Sequence, residues 1–483
     1  MADSSSSSLL ETKWQSNSMK KKHSSLNLWL SALILALSAG FHFGYNLIIT
    51  NPSQNAFIHF LNESSTMDGS EPMSKETLEF NWSIIVALLF LGMLFGAFQI
   101  RLLSDRMGRK RTMILATIGQ TLACTLSIGA FFVKSYYVYA FSRFLLGFFQ
   151  SIAIGVAPMY ISEASPPAIR GRISSSTGLF VQLSIVIGSI LAMPQIFGTP
   201  SSWWILYAIE LVVFIIVLVS LPFLHESPSY LSAKGNVDAA LRSVSFYHGI
   251  DRDDSYTVVT ELIDDANSHS GNVGIWEVWE EKRHFVPVLT GCAVMISMIT
   301  SGIVVINGYA VAMLGKVGLS SENAAWANIG ISVLSVVGCL LSSIFVDRYG
   351  RRPLLLSTLS ILFLVNCVIV LLMYLFELTQ EPIYGEILVA AICLFSLIFS
   401  AGPAPLSFFI SAELCSINVR GASITWTFIV NAIFRSVILA AFPKLESIVG
   451  TSIAYFSLFI PISLCVLIYL FTNLPETKPI PVK

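Results

Sequence analysis

Twelve apolar runs, each about long enough to cross a bilayer, make up most of this 483-residue chain. A helix needs roughly 20 residues to span a hydrocarbon core of about 30 Å, and lipid leaves its backbone no partner outside the helix. The runs begin near Leu28, Trp82, Thr112, Tyr137, Ile173 and Trp203, and then near Pro287, Ala324, Pro353, Tyr384, Gly421 and Thr451. This pattern predicts an all-α membrane protein with twelve transmembrane helices.

Composition agrees with that class and argues against several others. Hydrophobic residues form 54% of the chain and charged residues only 12%, with a net charge of −1. Soluble domains carry about 25% charged residues, and a near-neutral chain has no electrostatic footprint for nucleic acid. The seven cysteines form no Cys-x-x-Cys pair, so we expect no metal site and no cofactor. No paired acids, Ser-Lys dyad or His-rich cluster falls at membrane depth, so we expect no enzyme.

Short charged motifs occur twice. Asp105-Arg106-Met107-Gly108-Arg109-Lys110 recurs as Asp347-Arg348-Tyr349-Gly350-Arg351-Arg352. Glu163, Arg170 and Glu226 recur 250 residues later as Glu413, Arg420 and Glu476. Repetition in the same order predicts two pseudo-symmetric six-helix bundles. Many transporters work by rocking two such halves about a site at the midplane.

The polar segments suggest a domain organisation. We expect a disordered cytosolic tail over residues 1–25, a first bundle over 26–225, cytosolic linker helices over 226–285, a second bundle over 286–474 and a cytosolic tail over 475–483. The positive-inside rule assigns the basic clusters, and with them both termini, to the cytosol. A secretory signal is an alternative for the first run, and a flexible linker is an alternative for 226–285.

The duplicated charges predict a cytosolic gate. Its members are Asp105, Arg106, Arg109, Glu163, Arg170, Glu226, Asp347, Arg348, Arg351, Glu413, Arg420 and Glu476. Each Asp-Arg-x-Gly-Arg string cannot lie in lipid and must form a tight turn, which Gly108 and Gly350 permit. We expect ion pairs between these groups to hold the cytosolic ends of the two bundles together when the cavity faces outward. Topology signals and helix-end charges are the alternative interpretation.

These motifs resemble those of the sugar porter family of the major facilitator superfamily, particularly the animal facilitative glucose transporters of solute carrier family 2. The supporting strings include Phe43-Gly44-Tyr45-Asn46, Arg143-Phe144, Pro158-Met159-Tyr160-Ile161-Ser162-Glu163, Glu226-Ser227-Pro228, Gly402-Pro403-Ala404-Pro405 and Pro475-Glu476-Thr477-Lys478. The resemblance covers about residues 40–478. It implies the major facilitator fold, a central site for a small-molecule sugar, no covalent chemistry and a place in a lipid bilayer, which we expect to be the plasma membrane.

The resemblance also implies a substrate site, from which this chain departs. The family's seventh-span Gln-Gln-x-Ser-Gly-Ile-Asn string reads Met298-Ile299-Thr300-Ser301-Gly302-Ile303-Val304 here. The family's fifth-span glutamine aligns with Gly178, its eighth-span asparagine with Ser335, and its tenth-span glutamate and tryptophan with Ser400 and Phe408. The candidate substrate-binding residues are Gln182, Asn307, Tyr309, Ser335, Ser400, Phe408, Asn431 and Arg435. Each lost neutral hydrogen bond is worth about 0.5–1.5 kcal/mol, so glucose binding weakens unless other groups compensate.

Arg435 raises a second possibility for the substrate. An intramembrane cation is costly and usually faces a cavity or a partner. If Arg435 faces the cavity beside Asn431, an anionic or enolate solute such as ascorbate or urate becomes an alternative to a hexose. A structural ion pair or snorkelling toward the outside is the competing explanation. Tyr45, Asn46 and Arg143 are expected to line the cavity or pair neighbouring helices.

One position bears on energy coupling. Proton-driven relatives carry Asp after the Phe-Gly-Tyr string, because a carboxylate in a low-dielectric cavity can load and release a proton. Here the residue is Asn46, and Ser400 is also uncharged. We therefore expect passive uniport of a hexose such as glucose or a hexose-like solute. A sugar sensor that does not transport is the alternative.

Two local features complete the predictions. Gly402, Pro403 and Pro405 interrupt the tenth span and suggest a hinge, although kinked helices are often static. Asn62 heads an Asn-Glu-Ser string in the first outside loop and matches the N-glycosylation acceptor pattern.

Overall fold

A computed structural model describes residues 25–67, 73–166, 169–268, 273–316, 318–415 and 417–476. Helices, turns and connecting segments make up this part of the chain, and no strand occurs in it. Eleven of its helices are long and apolar enough to cross a membrane, and the shorter apolar helix Ser176–Leu191 lies in the fifth position. The predicted all-α fold of twelve membrane helices is confirmed. Most of the two predicted tails lies outside the described residues.

The first bundle contains six spans. They are Leu26–Ile48, Lys75–Met107, Arg109–Val133, Tyr136–Ala164, Arg170–Leu191 and Trp204–Ser220. A further helix, Gln54–Met67, lies between the first and second spans. Glycines allow the second and fourth spans to approach closely: a Cβ on Gly147 would lie 1.8 Å from the carbonyl oxygen of Leu89. Interior packing of small residues therefore fixes this pair of helices.

The second bundle repeats the arrangement with two broken spans. The seventh span consists of Lys282–Thr300 and Ile303–Lys316, and the tenth of Pro382–Ala401 and Pro403–Glu413. The eighth, ninth, eleventh and twelfth spans are Ser321–Tyr349, Arg351–Thr379, Ile417–Val449 and Thr451–Asn473. The tenth span breaks at Gly402, inside the predicted Gly-Pro-Ala-Pro interruption. The break in the seventh span was not predicted.

Gly302 causes the break in the seventh span. Its φ of +99° lies in the region that favours glycine. Asn366 donates a hydrogen bond from Nδ2 to the carbonyl of Ser301 at 2.7 Å, and the Tyr455 hydroxyl donates to Asn366 Oδ1 at 2.8 Å. The ninth and twelfth spans thus supply polar partners for backbone that the break would otherwise leave unsatisfied in lipid.

Short helices connect the bundles, as the sequence predicted. They are Pro228–Ala233, Val237–His248 and Arg252–Ser268, followed by a 3-10 turn at Glu277–Trp279. Tyr160 of the fourth span and Tyr247 of the linker both donate hydrogen bonds to the carbonyl of His225. Burial, the largest cause, and the charge of Arg170 together lower the pKa of His248 to about 4, against the opposing effect of a hydrogen bond with the Ala164 backbone. The linker is therefore packed on the first bundle and carries a neutral imidazole at its contact.

The two bundles meet along equivalent pairs of spans. The second span packs along the eleventh, and the fifth packs along the eighth. The duplication relates each span of the first bundle to the span six positions later, so the second span corresponds to the eighth and the fifth to the eleventh. Each of the two contacts between the bundles is therefore the symmetry counterpart of the other. The interface therefore has the pseudo-twofold relation that the repeated motifs predict.

Candidate functional site

We call the end of both bundles that carries Gly108 and Gly350 the motif end, and the other end the opposite end. In the first bundle, Arg109 of the third span meets Glu163 at the end of the fourth. Arg109 Nη2 lies 2.8 Å from Glu163 Oε1, and Asp105 Oδ1 lies 3.8 Å from Arg109 Nη1. Glu163 also accepts a hydrogen bond from the Ser227 hydroxyl. The carboxylate therefore connects the third span, the fourth span and the start of the linker.

Glu226 caps the third span. Its Oε1 accepts the backbone N–H groups of Arg109 at 2.7 Å and Lys110 at 3.0 Å, two of the first donors of that helix. A carboxylate at this position also complements the positive end of the helix dipole. Gly108 makes the turn before it with a φ of +89°. A side chain on Gly108 would collide with the Glu226 carboxylate.

The second bundle repeats this arrangement. Arg351 Nε lies 3.5 Å from Glu413 Oε2, and Glu476 accepts the backbone N–H groups of Arg351 at 3.0 Å and Arg352 at 3.2 Å. Gly350 makes the preceding turn with a φ of +96°. The repeated sequence motif thus forms the same arrangement in both bundles: an ion pair between an arginine and a glutamate, and a second glutamate that caps the helix carrying the arginine. We call each of these arrangements a clasp.

These clasps differ from the expected gate in one respect. We expected the ion pairs to join the two bundles, but Arg109–Glu163 and Arg351–Glu413 each join spans of one bundle. The spacing of the motifs in the sequence pointed to these arginines and glutamates as ion-pair partners. It did not show whether the two partners of a pair belong to the same bundle, because spacing gives no distance between helix ends. Between the bundles, Arg170 and Arg420 lie near enough for their charges to repel, with Glu163 attracting Arg170.

The remaining predicted gate residues have other surroundings. The backbone carbonyl of Arg106 accepts the Tyr230 hydroxyl at 3.2 Å. The Arg348 guanidinium lies 5.8 Å from the centre of the Tyr349 ring. The side chain of Asp347 lies outside the described part of the structure. A gating role for the whole set stays a prediction.

Neutral polar groups meet in the buried centre between the bundles. Gln182 of the fifth span donates from Nε2 to the Ser400 hydroxyl of the tenth at 3.3 Å. Within the second bundle, the hydroxyls of Ser335 and Ser396 lie 2.6 Å apart. Asn431 accepts a hydrogen bond from Arg435 Nε at 2.8 Å. The structure therefore brings together two pairs of predicted substrate residues, Gln182 with Ser400 and Asn431 with Arg435.

The other three candidates make contacts of a different kind. The Tyr309 hydroxyl donates to the carbonyl of Leu439 at 3.0 Å, so it ties the seventh span to the eleventh. Phe408 is half-buried, with its ring centre 6.0 Å from that of Phe428. Asn307 contributes its backbone carbonyl to Asn51. Their roles in binding substrate stay predictions.

Asn51 is a functional candidate that was not predicted from the sequence. It follows the first span, and its buried side chain crosses to Ile303–Lys316, the second half of the broken seventh span. Its Nδ2 donates to the carbonyls of Asn307 at 3.0 Å and Ile306 at 3.5 Å, while its Oδ1 accepts the N–H of Val311 at 3.2 Å. One amide thus fastens the two bundles at the opposite end.

Replacing Asn51 with alanine should open the opposite end. Losing these hydrogen bonds removes about 1–3 kcal/mol from the closed arrangement, because buried backbone partners are left unsatisfied. In an Ile306→Cys background, alkylation by an impermeant maleimide added to the opposite end should accelerate at least about fivefold. Thr66→Ala is the matched control, since Thr66 bonds only within its own helix. Equal alkylation rates with and without Asn51 would contradict this role.

A buried charged cluster inside the first bundle was also missed. Glu210 of the sixth span is 0% exposed, and its Oε1 lies 3.1 Å from His42 Nδ1 and accepts the Asn46 amide. Arg143 of the fourth span is 1% exposed and interacts electrostatically with Glu210 and with Tyr207. A lone acid within the apolar sixth-span run is the signal that identifies such a site.

The three predicted pairing residues lie in or beside this cluster. Asn46 reaches Glu210, and the Tyr45 hydroxyl donates to the carbonyl of Leu206 at 2.9 Å. Arg143 packs with Tyr139 and Tyr207. These contacts join the first, fourth and sixth spans. Whether any of the three also faces the cavity stays a prediction.

Asn62 lies in the helix Gln54–Met67, whereas a loop was predicted from the sequence. Its Oδ1 is buried without a hydrogen-bond partner, and Ser64 of the acceptor string accepts the backbone N–H of Tyr136 at 2.9 Å. Helical period was overlooked there because polar residues dominate the segment. Glycosylation of Asn62 stays a prediction.

Comparison with known proteins identifies the family. A family described as "Sugar (and other) transporter" matches residues 32–483. The chain belongs to this family. Its members are transporters and not enzymes, and this one is a multi-pass membrane protein with a small-molecule substrate.

Curated relatives and solved structures agree. Solute carrier family 2, facilitated glucose transporter member 1 of Gallus gallus is 28% identical over 449 residues, covering 92% of this chain and 89% of the relative. Member 9 of Homo sapiens is 26% identical over 467 residues, covering 95% and 84%. The xylose transporter XylE from E. coli, in a partially occluded inward open conformation, superposes with a TM-score of 0.73 at 18% identity, covering 94% and 99%. That structural likeness shows a shared major facilitator fold.

Proposed function

We propose that this transporter carries a hexose such as glucose, or a hexose-like solute, by alternating access and passive uniport. One observation carries the proposal: the Gln182–Ser400 hydrogen bond joins the two bundles through neutral groups in a buried centre. An amide and a hydroxyl suit the hydroxyls of a sugar, and their bond must break when the bundles rock apart. The printed names of the relatives as facilitated glucose transporters support the sugar class.

Orientation follows from charge, and the compartment follows from the resemblance to the animal facilitative glucose transporters. The motif end carries the basic clusters, so we place it and both termini in the cytosol. We place the protein in the plasma membrane. The break at Gly402 gives the tenth span a joint beside Pro403 at which its two halves can change angle, and we assign it the role of a hinge.

The first test is counterflow. Purified protein in proteoliposomes is preloaded with unlabelled solute and offered labelled hexoses, polyols, ascorbate and urate. Uptake of at least one hexose or hexose-like solute above protein-free liposomes supports the proposal. Saturable binding of such a solute without counterflow would instead identify a sensor.

Passive uniport predicts that a proton gradient leaves accumulation unchanged. Asn46 and Ser400 carry no titratable group, and Glu210 is engaged by His42 and Asn46 within the first bundle. Labelled substrate should therefore equilibrate to the same final level with and without an imposed gradient of one pH unit. Gradient-driven accumulation that a protonophore collapses would show coupling, since relatives of this fold include a proton:xylose symporter.

We also propose that the clasps gate the motif end. Glu413→Gln weakens the contact with Arg351 that holds the end of the tenth span against the ninth, so this part of the motif end should open more often, and Cys415 two residues later reports it. Cys415 is 5% exposed and burial raises the pKa of its thiol, so basal alkylation is slow. Peptide-resolved alkylation of Cys415 should rise about two- to tenfold. Glu446→Gln, which breaks an ion pair to Lys316 at the opposite end, should leave Cys415 unchanged.

A further inference from the structure

Arg435 is a buried cation without a counter-charge. Its side chain is 2% exposed, and one terminal nitrogen, Nη1, has no hydrogen-bond partner. Among the described residues, no carboxylate oxygen lies within 4.0 Å of a guanidinium nitrogen of Arg435, the distance that an ion pair requires. Burying a permanent charge in this way is costly, so the position calls for a partner that the polypeptide does not supply.

The structural alternatives account for only part of the side chain. The guanidinium lies 5.5 Å from the centre of the Phe90 ring of the second span, and this cation–π contact supplies no hydrogen-bond acceptor to its N–H groups. Snorkelling does not apply, because the side chain is buried and lies near the middle of Ile417–Val449. The bond from Nε to Asn431 uses one of the five guanidinium donors.

A second unused donor lies beside it. Asn431 Nδ2 is buried without a partner, and Asn431 is one helical turn before Arg435, on the same face of the eleventh span. A guanidinium fork and an amide, backed by an aromatic ring, match a planar pair of oxygens that share a negative charge. That face lies against the second span of the other bundle, so a ligand held there would bridge the two bundles.

We propose that Arg435 and Asn431 bind the delocalised oxyanion of the transported solute, so that the preferred substrates are sugar acids and not neutral hexoses. The inference rests on the proposed function, and it narrows the substrate class of the same transporter. The solute's hydroxyls are left to neutral groups such as Gln182 and Ser400. The bound oxyanion supplies the counter-charge that Arg435 otherwise lacks.

Matched probes test the proposal. Glucuronate is glucose with a carboxylate at C6, and ascorbate carries its charge as an enolate, so the two distinguish the source of the oxyanion. In counterflow, at least one should exceed glucose in kcat/KM by about tenfold or more, the effect expected of a charge-assisted hydrogen bond. An inside-positive membrane potential should increase uptake of that anion and leave glucose uptake unchanged.

Variants assign the preference to the side chain. Arg435→Gln should reduce the anion's kcat/KM at least about tenfold while glucose changes less than twofold, and Arg435→Lys should give an intermediate loss because it keeps charge without the fork. Lys444→Gln is the matched control: Lys444 lies on the same helix, 5.4 Å from the centre of the Phe80 ring of the second span, but is exposed. If Arg435→Gln does not fold, the wild-type preference and Arg435→Lys decide.

The outcomes separate the two proposals. Transport of glucose without transport of either anion, or an anion preference unchanged in the Arg435 variants, would overturn the oxyanion site and leave the proposed function standing. Transport of no member of the panel would overturn the proposed function itself.

Discussion

Replacing Gly302 with alanine is expected to abolish transport and most of the folded protein. The residue has a φ of +99°, which costs an L side chain about 1–3 kcal/mol. A Cβ there would also lie 2.0 Å from the Tyr455 hydroxyl. Moving that hydroxyl would break its bond to Asn366 and leave the amide without the partner that helps it hold Ser301. We expect a total loss of at least about 3 kcal/mol.

Fluorescence-detected size exclusion after heating would measure the effect of Gly302→Ala. Gly315→Ala is the control, because Gly315 lies in the same span, in the half that follows the break, and has open space around its Cβ position. Adding Tyr455→Phe to Gly302→Ala should recover part of the stability by removing the colliding atom. Near wild-type stability of Gly302→Ala alone would show that the break is not fixed by this network.

Replacing Glu210 with glutamine is expected to cost about 1–3 kcal/mol, because the buried carboxylate bonds His42 Nδ1 and the Asn46 amide and also attracts the buried Arg143 guanidinium from beyond ion-pair distance. Glutamine keeps the size of the side chain and can still accept from Asn46, so the loss comes from the charge. The transition temperature should fall by roughly 2–4 °C for each kcal/mol on a bundle-sized unit.

A double-mutant cycle would check that origin. The double variant Arg143→Gln/Glu210→Gln should lose less free energy of unfolding than the two single variants added together, because neither charge is left without the other. Glu210→Asp should lose less than Glu210→Gln, since it keeps the carboxylate. Additive losses, or equal stability of Glu210→Gln and wild type, would mean that the two charges are not coupled.

The spans and turns could be predicted because physics leaves few alternatives. Lipid forces each apolar run into a helix, and the Asp-Arg-x-Gly-Arg strings can only turn outside it, as Gly108 and Gly350 do with positive φ. The break at Gly402 was also visible, since two prolines follow it. Gly302 was not, because an isolated glycine in an apolar run is equally typical of close helix packing.

Long-range pairing explains the remaining misses. His42 and Glu210 lie 168 residues apart, and no local pattern signals that they touch. The same limit affected the gate: equal spacing in both halves identified Glu163 and Glu413, but helix ends from either bundle were compatible with it. Asn51 was overlooked because a polar residue just beyond a span is ordinary in sequence, and only its bonds to the seventh span make it notable.

The clasp built by Glu226 has a consequence for biogenesis. All of its members precede residue 227, so the first bundle can close its clasp while the ribosome is still adding the second. The carboxylate of Glu226 is then already bound to the first copy of the motif before the second copy is made, which disfavours pairing with the wrong copy.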